Sequence, residues 1–286
     1  MALELGVQLY SLRNETEKDA EAAIKKTLEI GYKNLEFANG RADVDAGSGY
    51  GISARRLLEI LKPYGAKISS AHMGPLTMET IPEIVKYHKA VGNRNIIEAI
   101  QFYTSYDHLM KRCEEYNQIG KYLIENDMNP LLYHNHYHEY QLLEGKEILY
   151  HIMENTDSKY LHFQIDTGWV KRAGKDPVTE MKKAGERLRI IHIKDFSKYP
   201  ANLLIGKDEL INWDNFGANN QPGDVMNKED FVEIGVGVME IQEIIDAANA
   251  LDVKFAILEQ DDSAGDIFES IAKSYENLKK YSGIYL

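Results

Sequence analysis

Histidines and carboxylates in this chain gather at the ends of short apolar runs. They occur in Asn34-Leu35-Glu36, Ser69-Ser70-Ala71-His72, Tyr133-His134-Asn135-His136, Gln164-Ile165-Asp166, His192-Ile193-Lys194-Asp195 and Leu258-Glu259-Gln260-Asp261. Side chains alternate along a strand, so His134 shares a face with His136, and His192 with Lys194. Imidazoles and carboxylates turned together into an interior cost several kcal/mol to desolvate unless they pair or hold a metal. His134, Asp166, His192 and Glu259, one from each of four successive runs, make a mixed nitrogen and oxygen set that suits Mn²⁺, Fe²⁺, Co²⁺ or Zn²⁺ better than Ca²⁺. Taken singly, each could equally be a hydrogen-bonded polar residue at a strand end. Their coincidence points to a divalent-metal site.

The elements that must position these groups alternate regularly. Strands are expected at Glu4–Tyr10, Lys33–Ala38, Ala66–His72, Asn95–Gln101, Pro130–His136, Tyr160–Asp166, Leu188–Lys194 and Val253–Gln260. Between them, apolar positions at i, i+3, i+4 and i+7 mark helices. One carries Ala20, Ala23, Ile24, Thr27 and Leu28, opens near Thr16 and stops at Gly31; another carries Leu109, Cys113, Tyr116, Leu123 and Ile124 and halts before Pro130. Others fit Ser53–Tyr64, Met78–Val91, Lys146–Glu154, Pro177–Arg187, Met239–Ala250 and Gly265–Tyr281. This alternation, without linkers, predicts an α/β chain whose residues 1–286 form one (β/α)8 TIM barrel domain. An open doubly wound sheet usually has fewer strands, and no G-x-G-x-x-G turn follows the first strand, where Tyr10-Ser11-Leu12-Arg13 stands. Barrel active sites lie at the C-terminal strand ends, where the polar groups are. The long connection Phe196–Gly237, with Trp213, Phe216 and Pro222 among Asn, Asp and Gly, is expected to cover the barrel mouth or to contact a second subunit.

Composition excludes several classes. The 286 residues are 44% apolar and 27% charged, as in ordinary globular proteins. No apolar run approaches the roughly 20 residues of a membrane-spanning helix. The net charge of −12 argues against a duplex-binding protein, which carries a basic face. The single cysteine, Cys113, allows neither an internal disulfide nor a cysteine zinc site, and its place on a helical stripe suggests core. Residues Met1–Gly6 show no basic region followed by an apolar stretch, so no signal peptide is expected and the expected location is cytoplasmic.

The same motifs carry a family resemblance. Gly6-Val7-Gln8-Leu9-Tyr10-Ser11, Gly31-Tyr32 with Leu35-Glu36, His134-Asn135-His136 with Glu139, Asp166-Thr167-Gly168-Trp169, His192-Ile193-Lys194-Asp195 and Glu259-Gln260-Asp261 span nearly the whole chain. With them the chain resembles the sugar phosphate isomerase/epimerase family, the xylose isomerase-like TIM barrels that include ketose 3-epimerases, inosose dehydratase and endonuclease IV. The resemblance implies a divalent metal held on strands five to eight above a pocket for a polyhydroxy ketone or aldehyde. Two departures matter. Many members have Glu-Asn-His on strand five, where this chain has His134-Asn135-His136, and many have Asp-x-x-His on strand six, where it has Asp166-x-x-Trp169.

These readings assign His134, Asp166, His192 and Glu259 to the metal, and Glu259, His136, Glu36 and Lys194 to catalysis. His72, Trp169 and Gln8 fall to substrate binding. Glu36 fits a general base, a group that supports other site residues, or a salt bridge to a neighbouring loop. Lys194 fits an oxyanion contact or a partner of Asp195 or Glu259. His138 and Glu139, beyond the strand end, read as solvated loop residues. The expected function is a divalent-metal-dependent enzyme on a small-molecule sugar, keto-sugar or cyclitol, removing a proton next to a carbonyl and leading to isomerisation, epimerisation or β-elimination. Epimerisation by two opposed carboxylates loses one of them to His134, which favours a lyase or dehydratase. An endonuclease IV-type nuclease would need more ligands and a basic face, and a non-catalytic sugar-binding barrel is the third reading. Neither a nucleic-acid nor a membrane partner is expected, and a homo-oligomer is left open.

Overall fold

The computed structural model describes residues 3–207, 209–216 and 227–286. Eight parallel strands close on themselves: β1 (Leu3–Gln8), β2 (Asn34–Asn39), β3 (Lys67–Met73), β4 (Ile96–Glu98), β5 (Leu131–His134), β6 (Leu161–Asp166), β7 (Leu188–Ile193) and β8 (Phe255–Leu258). The closing pair sets Glu4, Leu5, Gly6 and Val7 of β1 against Phe255, Ala256, Ile257 and Leu258 of β8. All eight expected strands are present, within one to three residues at each end. They stood out because strands of a closed parallel barrel are covered on both faces and read as continuous apolar runs.

Helices wrap the barrel: α1 (Arg13–Ile30), α2 (Ala54–Leu61), α3 (Ile81–Ala90), α4 (Tyr106–Glu125), α5 (Ile148–Asn155), α6 (Thr167–Arg172), α7 (Pro177–Ala184), α8 (Ile241–Ala250) and α9 (Ile267–Leu278). Helix α4 shows why they form. Ser105 caps it by accepting the His108 N–H at 3.1 Å, and Leu109, Cys113, Tyr116 and Leu123 face the core. Helix α1 opens at Arg13, earlier than its periodicity suggests, and is broken at Asp19, whose side chain caps Ala22 at 3.0 Å. Helix α6, too short to show a period, is the one the sequence did not announce.

Two cores result. The larger fills the space between strands and helices, and a small one of Ile97, Leu132, Ile190, Phe255 and Ile257 plugs the barrel itself. Gly6 belongs to this plug, because a Cβ there would stand 2.5 Å from Ile257 Cδ1 and 2.9 Å from the Asn34 carbonyl oxygen. Above the plug, toward the C-terminal strand ends, the inward residues turn polar. The long segment after β7 is tied down at its base, where Asp195–Phe196 pairs antiparallel with Phe231–Val232. Its Trp213 and Phe216 line the mouth, and Pro222 lies outside the described residues. Among the described residues, no helix is long and apolar enough to cross a membrane.

Candidate metal centre and active site

The barrel register sets the site. His192 on β7 lies level with Asp166 on β6 and Ile257 on β8, while His134 on β5 lies level with Gln164. Two residues above Ile257, Glu259 points to the same side. His134, Asp166, His192 and Glu259 are all buried, and each offers one ligand atom within 4.8 Å of the others.

Each ligand candidate is held from behind. Asp166 caps α6, its Oδ1 accepting the Trp169 N–H at 2.8 Å, which leaves Oδ2 turned into the site. That oxygen is buried without a hydrogen bond, with the Lys194 ammonium at 3.3 Å and His192 Nδ1 at 3.6 Å. His134 is bonded through Nδ1 to Gln164 Oε1 at 2.9 Å, so Nε2 is the nitrogen facing Asp166, at 4.0 Å. His192 is bonded through Nε2 to Glu36 Oε1 at 2.5 Å, and its Nδ1 faces Glu259 Oε2 at 2.9 Å. A buried carboxylate oxygen that accepts no hydrogen bond, among imidazoles whose far nitrogens are fixed, fits a divalent cation, since ligating histidines are oriented by such outer bonds.

Glu36 is the hub beneath. Fully buried, it meets Gln8 Nε2 (2.8 Å), Ser70 Oγ (2.5 Å), Gln164 Nε2 (2.7 Å), His192 Nε2 (2.5 Å) and His72 Nε2 (3.2 Å). Burial opposes its charge, but the histidines His192 and His72 hold its carboxyl well below the usual carboxylate range. Burial likewise disfavours a charged His192, yet Glu36 and Glu259 raise its affinity for a proton well above the ordinary value. Ligation through Nδ1 requires that nitrogen to be free of its proton.

Lys194 lies among carboxylates, 2.8 Å from Glu259, 2.7 Å from Asp261 and 3.3 Å from Asp166. Its stem passes Gly168, where a Cβ would stand 2.9 Å from Lys194 Cδ. Against the cost of burial, Asp166, Asp261 and Glu259 keep the amine protonated, while Glu259 is held ionised against burial by Lys194 and His192. His136 lines the cavity beside His134, ring centroids 4.9 Å apart, and its Nδ1 is buried without a hydrogen bond. Burial first, then the neighbouring His138 and Lys194, keep it neutral.

The other expected site residues separate. His72 and Trp169 line the same cavity as His134, His136 and Glu259. Gln8 is fully buried, with its amide nitrogen on Glu36 and its amide oxygen on the Tyr10 N–H, so its side chain serves Glu36 rather than the cavity. His138 and Glu139, read from sequence as solvated, are buried instead: Glu139 accepts the Tyr133 hydroxyl at 2.9 Å and the His136 N–H at 2.8 Å. Gln164 and Ser70, both bonded to Glu36, are further members of the site; alternation from Asp166 turns Gln164 inward.

No protein-family model matches the chain. An inosose dehydratase of Mesomycoplasma hyopneumoniae (strain 7448) is 25% identical over 211 residues, 66% of this chain and 66% of its own length, so the match spans just under two thirds of that relative. Among solved structures, a sugar phosphate isomerase/epimerase from Parabacteroides distasonis ATCC 8503 superposes with a TM-score of 0.74 at 21% identity, covering 100% of this chain and 96% of that one. The probable 3-DHS dehydratase AsbF from Bacillus anthracis gives 0.68 at 14% identity, covering 98% and 99%. The IOLI protein, solved with a bound zinc atom, gives 0.63 at 13% identity, covering 99% and 100%. The structural neighbours of this chain are sugar phosphate isomerase/epimerase and xylose isomerase-like TIM barrels, and its closed barrel is the fold they share.

Proposed function

We propose that the chain is a divalent-metal-dependent lyase or dehydratase that removes a proton next to the carbonyl of a keto-sugar or cyclitol ketone and expels the oxygen substituent one carbon further on. The observation that carries this reading is the buried convergence of Asp166 Oδ2, which accepts no hydrogen bond, with His134 Nε2, His192 Nδ1 and Glu259, beside the Lys194 ammonium 3.3 Å away. Those four residues would hold the ion, which when bound supplies Lewis acidity toward a carbonyl and a neighbouring hydroxyl. Zinc in the IOLI protein and the dehydratase name of the sequence relative support the same reading.

The chain's own residues divide the work. Glu259, a buried carboxylate lining the cavity, takes the proton from carbon. The C–H electron pair becomes a C=C bond, the neighbouring C–O bond breaks with its pair on oxygen, and that oxygen leaves protonated as water or an alcohol. His136, neutral and unbonded at Nδ1, would accept that proton from Glu259 and, as the imidazolium, deliver it to the departing oxygen, which restores both side chains to their starting protonation states. Lys194 steadies the negative charge that develops on the carbonyl oxygen. Glu36 is bonded to His192 and His72 and serves to orient them. The place on β5 that would carry the second carboxylate of a two-base epimerase is taken by His134, bonded to Gln164.

The test is metal analysis of the purified protein followed by incubation with inososes and keto-sugars in D₂O. A dehydrated or unsaturated product, lost on chelation and restored by Mn²⁺, Co²⁺ or Zn²⁺, is expected. Clean conversion to the C3 epimer with deuterium at that carbon would overturn the lyase reading.

A further inference from the structure

Glu259 and Asp261 follow β8 two residues apart, and one lysine meets both. Gln260 between them anchors the backbone that carries them, its N–H on Ser11 Oγ (2.9 Å) and its side-chain amide on Ser270 Oγ (2.7 Å). The stem of Lys194 is held as firmly, passing Gly168 and leaving Nζ 5.2 Å from the centre of the Trp169 ring. Its ammonium donates to both oxygens of Asp261, Oδ1 at 2.8 Å and Oδ2 at 2.7 Å. It also lies 2.8 Å from Glu259 Oε2 and 3.3 Å from Asp166 Oδ2, and the latter accepts no hydrogen bond from it. Among the described residues, these three carboxylates contact Lys194, and Asp261 is the one outside the metal-ligand set. Its side chain is 20% exposed in the cavity wall, against 2% for Lys194.

We propose that Asp261 is a positioning residue that acts through Lys194 on metal affinity: it neutralises the ammonium and holds it off the two ligand carboxylates. This role presumes the metal-dependent reading above but not the elimination. A divalent cation stands about 2.0–2.2 Å from a ligand carboxylate oxygen. An ammonium in contact with the same two oxygens is a rival for their charge, and in a buried setting the repulsion between the two cations is weakly screened. Asp261 removes most of that rivalry. Its two hydrogen bonds draw the ammonium toward the cavity, so that Asp166 Oδ2 keeps its lone pairs for the metal. Without the Asp261 charge, Lys194 turns wholly to Glu259 and Asp166, and the metal has to displace it.

Competition between the protein and a chelating dye for Zn²⁺ reads this affinity without turnover. Asp261→Asn keeps the shape and removes the charge, and it is expected to weaken Zn²⁺ binding about 10–100-fold, the usual effect of losing an outer partner in a metal site. Lys194→Met removes the rival cation and is expected to bind Zn²⁺ several-fold more tightly than the parent. In that background Asp261→Asn is expected to change the affinity about threefold or less, a departure from additivity that a double-mutant cycle reads. Equal losses with and without Lys194 would show that Asp261 attracts the metal directly, and no loss in Asp261→Asn would show that the pair serves the fold alone; both overturn the role. Lys194→Met also decides the matter if Asp261→Asn does not fold, since binding no tighter than the parent's would mean that the ammonium is not a rival. A parent protein that binds no Zn²⁺ sinks the metal-dependent reading itself and this role with it. Parent binding that Asp261→Asn leaves unmoved sinks only the role.

Discussion

Glu36 and His192 form a fixed pair: Oε1 of the carboxylate and Nε2 of the imidazole lie 2.5 Å apart, both side chains fully buried. The bond commits one ring nitrogen of His192 and aims the other, Nδ1, at Asp166 and Glu259. Carboxylate partners of this kind set the tautomer of a ligating histidine and raise its basicity. Glu36→Gln removes the charge while keeping the shape, and it is expected to weaken divalent-metal affinity by about 10–100-fold. Competition with a chelating dye measures this without reference to turnover. Unchanged affinity would mean that the pair serves stability alone.

Asp195 is expected to govern the segment that follows it. Its carboxylate accepts four backbone N–H groups, from Phe196 (2.9 Å), Gly235 (2.9 Å), Gly237 (3.0 Å) and Met239 (3.0 Å), closing both ends of the long connection onto β7. Asp195→Ala strands these donors, each at a cost of about 1–3 kcal/mol where no water replaces the oxygen. Faster proteolytic cleavage between Phe196 and Gly237, with the far-ultraviolet dichroism of the barrel intact, is the expected result. A cleavage pattern like that of the parent protein would show that Asp195 does not hold the segment.

Much of this was legible in the sequence because a parallel barrel writes its strands as unbroken apolar runs and its site as polar residues at their ends. His134, Asp166, His192 and Glu259 could be named from position alone. Gln164 and Ser70 could not, since neither residue type signals chemistry: Ser70 meets Glu36 through the register of adjacent β2 and β3, and Gln164 reaches it from β6 across the barrel. His138 and Glu139 looked exposed because what buries them is distant in sequence: the Phe102 ring lies 4.5 Å from His138 and the Phe216 ring 5.5 Å away. Helix α6 escaped because its evidence is a cap, Asp166 on Trp169, rather than a period.

Gly168 opens a passage for Lys194. A methyl group there would meet Lys194 Cδ at 2.9 Å, Lys194 Cβ at 3.0 Å and Phe196 Cζ at 3.2 Å. Gly168→Ala therefore displaces the lysine stem and with it the ammonium between Glu259 and Asp261. If Lys194 steadies the developing oxyanion, kcat is expected to fall about 10²–10³-fold, the usual effect of losing one such donor. Metal stoichiometry, measured on the same preparation, is expected to stay at the parent value. A loss of metal instead would place Gly168 in support of Asp166.

His88 makes a pH prediction away from the site. It is buried on α3, accepts the Asn93 side-chain amide at Nδ1 (3.0 Å), and leaves Nε2 without a hydrogen bond. Burial pushes its imidazole down to about 3 from the ordinary 6.5, against the opposing pull of Asp45 and of the nearby Gly47 backbone. The fold thus holds His88 neutral, whereas the unfolded chain protonates it near pH 6.5. The stability this gives is complete above pH 6.5 and is lost progressively as the pH falls toward 3. Between pH 6.5 and 5, before most carboxylates titrate, the slope from this one residue approaches about 1.4 kcal/mol per pH unit. His88→Leu leaves the Asn93 amide short of one acceptor and lowers stability at pH 8, but it flattens the acid slope by close to one proton. Urea unfolding of both proteins at half-unit steps from pH 8 to 5 reads that slope. Parallel curves over the whole range would show that His88 is protonated in the native state and that its burial does not suppress the charge.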